Sequence, residues 1–480
     1  MHHGLRILAL CLPLAALAAC GRSGETGQSL AEARARESVP QPPPVNVAWL
    51  DTLAKSYVAQ KHLVGLSVGV AQDGKIVFAR GYGFASLADH AAVTPWTKFA
   101  VGSVTKQFTC AAALLLEESG RISMSDPVSK YFPNLTEARE VTLLDLGNHV
   151  SGYRDYYPLD FVDREMEQPT TADSVIAEYA TRPLDFQPGT RWSYSNTNFL
   201  ILGRVVEKVS GVSFGTFLDQ HIFTPLNLRA TVYDPAPGGP GMASGYSSFA
   251  LGAPSFAAPE GAGWDGMAGA LWSTPSDLLT WDLALVDGKV LSPQSYRTLT
   301  TPRRLADGRS TGYGCGDGVS DRGESVLLTH GGAVSGFTAS NTVVPATRSA
   351  VVLLTNADFG SLGELNRAIL AKLIPHVNVP AIRGAPALPT AAALLAQLQK
   401  GQVDRAALGD DFSAYLTPER LAGARKSLAG RLADVQVVNT AERGGMEVAD
   451  VRFKVGARAA AALMYRTPDG KIQEFLVYQP

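Results

Sequence analysis

This sequence of 480 residues contains few histidines and cysteines and has a net charge close to zero. The eight histidines show no metal-ligand spacing such as H-E-x-x-H, so we expect no bound metal. The formal net charge is −2 at pH 7, which gives no electrostatic reason to expect a nucleic acid as a partner. The hydrophobic fraction of 46% and the charged fraction of 18% instead indicate a globular protein, and the length favours more than one domain.

Of the four cysteines, Cys11 and Cys20 lie in an N-terminal segment, which leaves Cys110 and Cys315 for the folded protein. An exported protein could join these two in a disulfide, but the sequence alone does not decide their pairing. Because Cys110 lies inside an apolar helix, we expect it to be a small packed thiol.

Residues 1–19 have the pattern of a secretory signal, with a short basic start and an apolar run too short to span a membrane. The run ends in LAAC at residues 17–20, which resembles the lipobox of a bacterial lipoprotein. The resemblance implies cleavage before Cys20 and lipidation of its sulfur; the alternative is an ordinary secretory signal with a chance cysteine. Residues 20–46 are polar and then proline-rich, as a flexible tether would be. We therefore expect an exported protein, lipid-anchored at the periplasmic face of a bacterial membrane.

The pattern of residues 47–378 predicts one α+β domain in which helices flank an antiparallel sheet. Helical periodicity covers residues 47–64, and a further helix is expected from Asn198 to Val209. Four apolar runs predict strands, the first two joined by a hairpin turn: Leu66–Ala71, Ile76–Gly81, Ser325–His330 and Val343–Leu354. Since strands begin and end this region, we expect its first and last strands to come together in the sheet.

A proline-rich linker at residues 380–389 precedes a smaller α+β accessory domain at residues 390–480. Its expected helices are Ala391–Gln402 and one that Thr417 caps, with proline in the first turn. Its expected strands are Asp434–Ala441, Met446–Val455 and Ala459–Tyr478, the last folded at a Pro-Asp-Gly turn. We find no catalytic constellation in this part of the chain.

Ser103 and Lys106 stand at the start of an apolar helix, in the only S-x-x-K of the sequence. Residues three apart share a face of a helix, so the two side chains point the same way. A buried ammonium is costly unless it is paired or used, and a desolvated lysine has a lowered pKa and can accept a proton. Serine becomes a nucleophile when a neighbouring base takes its proton. The pair therefore predicts a nucleophilic serine activated by lysine.

Three short motifs occur in order: SVTK at residues 103–106, YSN at 194–196 and HGG at 330–332. They resemble the S-x-x-K, Y-x-N and K-T-G or H-x-G motifs of the penicillin-recognising serine hydrolases. That family includes class C β-lactamases, D-alanyl-D-alanine carboxypeptidases and related esterases. The resemblance covers about residues 47–375. It implies a β-lactamase/transpeptidase-like fold, an α/β/α sandwich with an all-helical subdomain, and catalysis without a cofactor.

The resemblance also implies the catalytic roles. Ser103 would attack the substrate carbonyl and become acylated. Lys106 and Tyr194 would share the work of the base, with the lysine cation keeping the phenol acidic enough to ionise or to pass on a proton. The order in which they take the proton stays open in the sequence.

The remaining motif residues are implied to bind substrate. Asn196 would grip a substrate amide, and the backbone N–H groups of Ser103 and Ala333 would form the oxyanion hole. The substrate-binding positions are thus Asn196, His330, Gly331 and Gly332. We interpret His149, in HVSG, as part of a structural turn that supports the site. Tyr313 is left out of the predicted site because aromatic side chains are more often core.

His330 bears on the choice of substrate, because many β-lactamases carry a lysine at the first position of this motif. Histidine is mostly neutral at pH 7, so recognition of a substrate carboxylate would be weaker. We expect an exported serine hydrolase that forms an acyl-enzyme on peptidoglycan-type D-amino-acid peptides, as a DD-carboxypeptidase does, or on related amides and esters. The alternatives are a β-lactamase or small-ester esterase with the same site, or a catalytically silent penicillin-binding sensor lipoprotein. The partner is therefore a small peptide, β-lactam or ester, and the sequence gives no oligomeric state.

Overall fold

The computed structural model of the protein describes residues 42–157, 162, 165–236, 238–248, 252–321, 326–374, 381–443 and 446–478. The predicted signal peptide, Cys20 and the tether up to residue 41 lie outside these residues. No helix within the described ranges is long and apolar enough to cross a membrane.

The strands, numbered in chain order, are β1 (Gly65–Gln72), β2 (Lys75–Ser86), β3 (Ala91–Ala92), β4 (Phe99–Ala100), β5 (Val232–Tyr233), β6 (Tyr246–Ser247), β7 (Ser255–Phe256), β8 (Leu271–Ser273), β9 (Gly318–Asp321), β10 (Val326–Val334), β11 (Phe337–Val344), β12 (Ser349–Thr355), β13 (Leu432–Arg443), β14 (Met446–Val455), β15 (Arg458–Arg466) and β16 (Ile472–Tyr478).

The α-helices are α1 (Val47–Lys61), α2 (Thr105–Glu118), α3 (Leu143–Gly147), α4 (Ala172–Tyr179), α5 (Asn196–Ser210), α6 (Phe214–Leu218), α7 (Thr224–Leu226), α8 (Gly266–Gly269), α9 (Pro275–Val286), α10 (Pro293–Thr300), α11 (Gly363–Leu373), α12 (Ala387–Gln399), α13 (Asp410–Tyr415) and α14 (Pro418–Ser427). The helix expected from Asn198 thus begins two residues earlier, at Asn196.

A seven-stranded antiparallel sheet in the order β3-β2-β1-β12-β11-β10-β9 lies at the centre of the larger domain. Strands β1 and β12 pair along their length, which confirms that the first and last strands come together. The prediction of a single strand from Val343 to Leu354 is wrong. The chain turns there through a short 3₁₀ helix at Pro345–Thr347, followed by Arg348 at a φ of 48°. The continuous apolar run conceals this turn.

The run is continuous because both faces of the sheet are covered. In β12, Ala350, Val352 and Leu354 join the core that includes helices α2, α5 and α9, whereas Val351 and Leu353 join the core beneath α1 and α11. Successive side chains of a strand point to opposite faces, so a strand buried on both sides carries no polar alternation. The expected α+β architecture of sheet and flanking helices is confirmed.

The C-terminal part of the chain forms its own four-stranded antiparallel sheet, in the order β13-β14-β15-β16, with helices α12 to α14 packed on a separate core. The side chain of Thr417 accepts a hydrogen bond from the N–H of Arg420 and caps α14, as predicted. Strand β14 has the predicted bounds, and the last predicted segment is folded into β15 and β16. Helix α12 begins four residues before the predicted Ala391.

Cys110 and Cys315 form a disulfide, so the expectation of a packed thiol is wrong. Cys110 lies on α2, one turn beyond Lys106, and Cys315 lies in the loop that precedes β9. Gly147 borders the bond, since a Cβ atom there would lie 2.4 Å from the sulfur of Cys315. The disulfide therefore fixes the loop before β9 to the helix that carries the predicted base.

Candidate active site

Ser103 lies in a 3₁₀ turn, Gly102–Val104, that leads directly into α2, and Lys106 lies in the first turn of that helix. The amine nitrogen Nζ of Lys106 is 2.9 Å from Oγ of Ser103. The local spacing of three residues therefore places the two side chains together, as predicted.

Lys106 is fully buried, with 0% of its surface exposed. Besides Ser103, its Nζ contacts Oδ1 of Asn196 at 2.7 Å and the carbonyl oxygen of Ala268 at 2.8 Å. Both of these oxygens only accept hydrogen bonds, so two N–H bonds of the amine are committed to them. The remaining side of the nitrogen faces Ser103. When the amine is neutral, its lone pair therefore points towards Oγ of Ser103.

Burial lowers the pKa of Lys106 to about 7, although the negative charges of Asp155 and Asp265 act in the opposite direction. A large fraction of the amine is therefore neutral near neutral pH. Together with its hydrogen-bond geometry, this makes Lys106 able to accept the proton of Ser103.

Asp155, a carboxylate outside the three motifs, holds Asn196 in place. Its Oδ1 accepts hydrogen bonds from the backbone N–H of Asn196 at 2.9 Å and from the side-chain Nδ2 at 3.1 Å. A carboxylate cannot donate, so the NH₂ end of the amide faces Asp155 and the oxygen faces Lys106. Burial raises the pKa of Asp155, against the hydrogen bonds from Asn196 and the charge of Lys106. No sequence motif indicates this carboxylate.

The hydroxyl of Tyr194 is hydrogen-bonded to Ser103, and its ring centre lies 4.9 Å from Nζ of Lys106. The expected acidification of this phenol is not found. Burial raises the pKa of Tyr194, the negative charge of Asp155 adds to the increase, and only the hydrogen bond with Ser103 lowers it. The phenol therefore keeps its proton and can act as a donor or relay.

His149 packs beneath Tyr194, with ring centres 4.3 Å apart. Its Nδ1 accepts a hydrogen bond of 3.1 Å from the backbone N–H of Ser195, while Nε2 has no hydrogen-bond partner among the described residues. Burial and the charge of Lys106 lower the pKa of His149 well below its usual range. The neutral ring of His149 packs against Tyr194 and binds the backbone of the next residue, so it can support the Tyr194 side chain.

His330 is buried and makes two hydrogen bonds that fix its tautomer. Its Nδ1 lies 2.5 Å from the carbonyl oxygen of Gly331, which only accepts, so Nδ1 carries the proton. Its Nε2 then accepts from the hydroxyl of Tyr313 at 2.7 Å. Burial, aided by the charge of Lys106, lowers the pKa of His330 to about 3, so the ring is neutral. Tyr313, omitted from the sequence prediction, is thus a direct partner of the third motif.

Two glycines allow the backbone of the nucleophile turn to lie against strand β10. A Cβ atom on Gly332 would lie 1.9 Å from the carbonyl oxygen of Val101, and one on Gly102 would lie 2.8 Å from the N atom of Ala333. The pairing of β10 with β9 ends at Thr329, so this end of β10 is free of β9. The backbones of Ser103 and Ala333 are therefore neighbours, although their role as an oxyanion hole stays a prediction.

A pocket of about 290 Å³, including space open to solvent, lies in front of Ser103. Small side chains and two tyrosines form much of its wall; its lining residues are Ser103, Tyr156, Tyr157, Asn196, Asp265, Ala268, Gly269, Ala333 and Val334. His330 is not part of this lining. Across the described part of the chain, no group of three or more His, Cys, Asp or Glu side chains could hold a metal ion.

Comparison with known proteins gives a family match over most of the larger domain. The family model described as Beta-lactamase matches residues 50–374. PbpX of Bacillus subtilis (strain 168), a penicillin-binding protein by name, is 30% identical over 302 residues, which are 62% of this chain and 73% of that protein.

Two further similarities are to enzymes named for D-amino-acid substrates. The D-aminopeptidase of Brucella canis is 29% identical over 320 residues, or 66% of this chain; the match spans 60% of that protein's length. The crystal structure of a D-stereospecific amidohydrolase from Streptomyces sp. superimposes with a TM-score of 0.59 at 25% identity, over 69% of this chain and 100% of that one.

Proposed function

This chain belongs to the Beta-lactamase family, and we propose from this premise that it is a serine hydrolase that cleaves small amides or peptides of D-amino acids through an acyl-enzyme on Ser103. The observation that carries the proposal is the contact of Lys106 Nζ with Ser103 Oγ at 2.9 Å, because the other two contacts of that nitrogen are fixed acceptors.

Acylation begins with neutral Lys106. Oγ of Ser103 attacks the carbonyl carbon of the substrate while its proton passes to Nζ of Lys106. The carbonyl oxygen becomes an oxyanion, which the N–H groups of Ser103 and Ala333 would stabilise.

The C–N bond then breaks and the leaving nitrogen needs a proton. Tyr194 donates its hydroxyl proton to that nitrogen, and the phenolate so formed takes a proton from the Lys106 ammonium, so that Lys106 returns to the neutral amine. In deacylation, water attacks the ester carbon, its proton passes to Lys106, and Oγ of Ser103 leaves and takes a proton back.

The third motif favours an amide of a D-amino acid over a carboxylate-bearing substrate. DD-carboxypeptidases and β-lactamases act on substrates that carry a carboxylate, whereas His330 is neutral and already hydrogen-bonded to Tyr313 and to its own strand. The names of the D-aminopeptidase and the D-stereospecific amidohydrolase agree with this choice. We expect the same nucleophile to hydrolyse small esters as well, since they need no cation for carboxylate recognition. A silent binding protein would have no use for the buried amine of Lys106.

The test compares wild type with Ser103→Ala on D-alanine amide, L-alanine amide, a D-Ala-D-Ala peptide, a chromogenic cephalosporin and p-nitrophenyl acetate. We expect Ser103-dependent hydrolysis of D-alanine amide and of the ester, with preference for the D over the L amide. Intact-protein mass spectrometry should show an acyl adduct on wild type only. The matched control is Ser125→Ala, which replaces an exposed serine in the segment that follows α2. Equal rates for wild type and Ser103→Ala on every substrate would refute the proposal.

We also propose that the chain is exported and anchored by a lipid on Cys20. The basic start, the apolar run and the LAAC sequence of residues 1–20 support this. Expressed with its own N-terminus in a bacterium, the protein should fractionate with membranes, and Cys20→Ser should move it to the soluble exported fraction. Continued membrane association of Cys20→Ser would contradict lipidation at that position.

A further inference from the structure

Asp265 immediately precedes helix α8, and its half-buried side chain lines the pocket beside Ser103 and Asn196. The carboxyl group does not cap its own helix. It makes no hydrogen bond and no ion pair with any residue that the structure describes. An acidic group is thus left without a partner in the wall of the pocket that contains the nucleophile.

The other charged groups around the pocket are already occupied. Asp155 accepts hydrogen bonds from Asn196, and Glu260 accepts them from the hydroxyl of Tyr157 at 2.8 Å and the backbone N–H of Ser335 at 2.9 Å. Nζ of Lys106 already contacts Ser103, Asn196 and Ala268. Within the described ranges, Asp265 is therefore the carboxylate of the pocket wall that is available to an incoming group.

We propose that Asp265 forms a subsite for a primary ammonium group of the substrate, bounded by the rings of Tyr156 and Tyr157. This inference rests on the proposed function and narrows it to D-amino-acid amides and peptides whose α-amino group is free. The α-nitrogen and the scissile carbonyl carbon of such a substrate are only about 2.5 Å apart, so both fit one small pocket with Ser103. One such substrate can therefore place its ammonium group at Asp265 and its carbonyl carbon at Ser103 at the same time.

The electrostatics of Asp265 support the same assignment. Burial raises the pKa of Asp265 well above its usual range, the charges of Glu260 and Asp234 add to the effect, and only the charge of Lys106 opposes it. An unpaired carboxylate is costly in such a place, and an ammonium ion offsets that cost by direct pairing. A substrate carboxylate would instead meet a like charge. The pocket thus has the polarity that suits an aminopeptidase or amino-acid amidase.

The test is a ratio of kcat/KM values for D-alanine p-nitroanilide and N-acetyl-D-alanine p-nitroanilide, which differ in the ammonium group. We expect wild type to prefer the free amine by about 100-fold or more, because removing one partner of a desolvated charge pair has a large cost. In Asp265→Asn the ratio should fall by about 30-fold or more, mainly through KM for the free amine. Asp265→Glu, which keeps the charge, should retain part of the preference. A ratio taken within one variant is insensitive to a general loss of folded enzyme.

Asp234→Asn is the matched control. Asp234 is an exposed neighbouring acid that influences Asp265 but does not line the pocket, and its φ of 47° suits asparagine. It should leave the ratio within about 3-fold of wild type, because a charge at the surface is screened by solvent. A second readout is calorimetric binding of D-alanine amide and N-acetyl-D-alanine amide to the inactive variant Ser103→Ala. We expect only D-alanine amide to bind. Adding Asp265→Asn to this variant should abolish the difference between the two amides.

An unchanged ratio in Asp265→Asn, or a wild type that cleaves both nitroanilides equally well, would overturn the inference. Neither result would affect the proposed function as long as hydrolysis of p-nitrophenyl acetate depends on Ser103. Loss of that Ser103 dependence would overturn the proposed function and the inference with it.

Discussion

The carboxylate of Asp155 accepts hydrogen bonds from both the backbone and the side-chain amide of Asn196, and so determines which end of that amide faces Lys106. Replacing Asp155 with Asn removes this discrimination, because a second amide can donate or accept. We expect kcat/KM in Asp155→Asn to fall by up to about 100-fold, because a small misplacement of the reacting groups has a cost of that size. Because the charge of Asp155 raises the pKa of Lys106, the pH profile should also shift to lower pH.

The shift of the profile separates a positioning role from simple loss of structure. Asp185→Asn is the control, since it removes an exposed carboxylate that pairs with Arg154 at 2.8 Å. It should change neither the rate nor the pH midpoint. A profile of Asp155→Asn that coincides with that of wild type would show that Asp155 does not act on the base.

Lys106 gives a second prediction, because its pKa lies at about 7 and only the neutral amine accepts a proton. The free-enzyme profile of kcat/KM should therefore rise with pH and level off above a midpoint near 7. Lys106→Met should reduce kcat/KM by about 1,000-fold or more, within the range attributed to general-base catalysis. A steady-state pH series with D-alanine amide or p-nitrophenyl acetate measures both.

Lys130→Met is the matched lysine variant for this experiment. Lys130 forms an exposed ion pair with Asp126 at 2.8 Å, so its loss should leave the activity and the midpoint unchanged. An activity that is flat between pH 5 and 9, or that falls as pH rises through 7, would contradict a basic role for Lys106.

Local patterns in the sequence predicted the parts of the site that depend on nearby residues. The i, i+3 spacing placed Lys106 beside Ser103, and the apolar helix behind them is buried as expected. The strand β14 was recognisable because only one of its faces is buried, so its side chains alternate. Strand β12 and the turn before it were less clear, because burial of both faces removes that alternation.

Contacts between distant parts of the chain could not be predicted in this way. The carboxylate of Asp155 meets an amide 41 positions away, and Tyr313 reaches His330 from a loop that precedes the strand. The raised pKa of Tyr194 follows from its burial among these groups and not from its motif. Such features depend on how helices, strands and loops pack together. The loops of a single sequence show no periodicity from which that packing could be inferred.

The disulfide between Cys110 and Cys315 gives a prediction about stability. It joins the helix of Lys106 to the loop before β9, 205 residues along the chain. Its removal in the double variant Cys110→Ala/Cys315→Ala should lower the free energy of unfolding by about 2–4 kcal/mol, measured with urea. Wild type in a reducing agent should unfold like the double variant. Identical urea midpoints for oxidised and reduced wild type would contradict a stabilising disulfide.

Asp282 is a buried acid whose partner suits its protonated form. Its Oδ1 accepts a hydrogen bond of 3.0 Å from Nδ2 of Asn341, while Oδ2 of Asp282 and Oδ1 of Asn341 have no hydrogen-bond partner among the described residues. Burial raises the pKa of Asp282 to about 7, against the hydrogen bond from Asn341. If Oδ2 of Asp282 were protonated, its O–H could donate a hydrogen bond to Oδ1 of Asn341.

The consequence for stability follows from the sign of this shift. The pKa of Asp282 is higher in the folded than in the unfolded protein, so its contribution is most favourable below about pH 4 and is lost as pH rises to about 7. Asp282→Asn mimics the protonated group. It should therefore exceed wild type in the free energy of unfolding by a few kcal/mol at pH 8, with little difference at pH 4.

The matched control is Asp287→Asn, at the end of the same helix α9. Burial would raise the pKa of Asp287, but its hydrogen bonds with Arg348 outweigh that effect and lower it. This group therefore stabilises the fold at pH 8 and loses that contribution as pH falls, so Asp287→Asn should be less stable than wild type at pH 8. Urea unfolding of the three proteins at both pH values tests the opposite signs. If Asp282→Asn were destabilised equally at pH 4 and pH 8, the raised pKa of Asp282 would not be what limits stability in the neutral range.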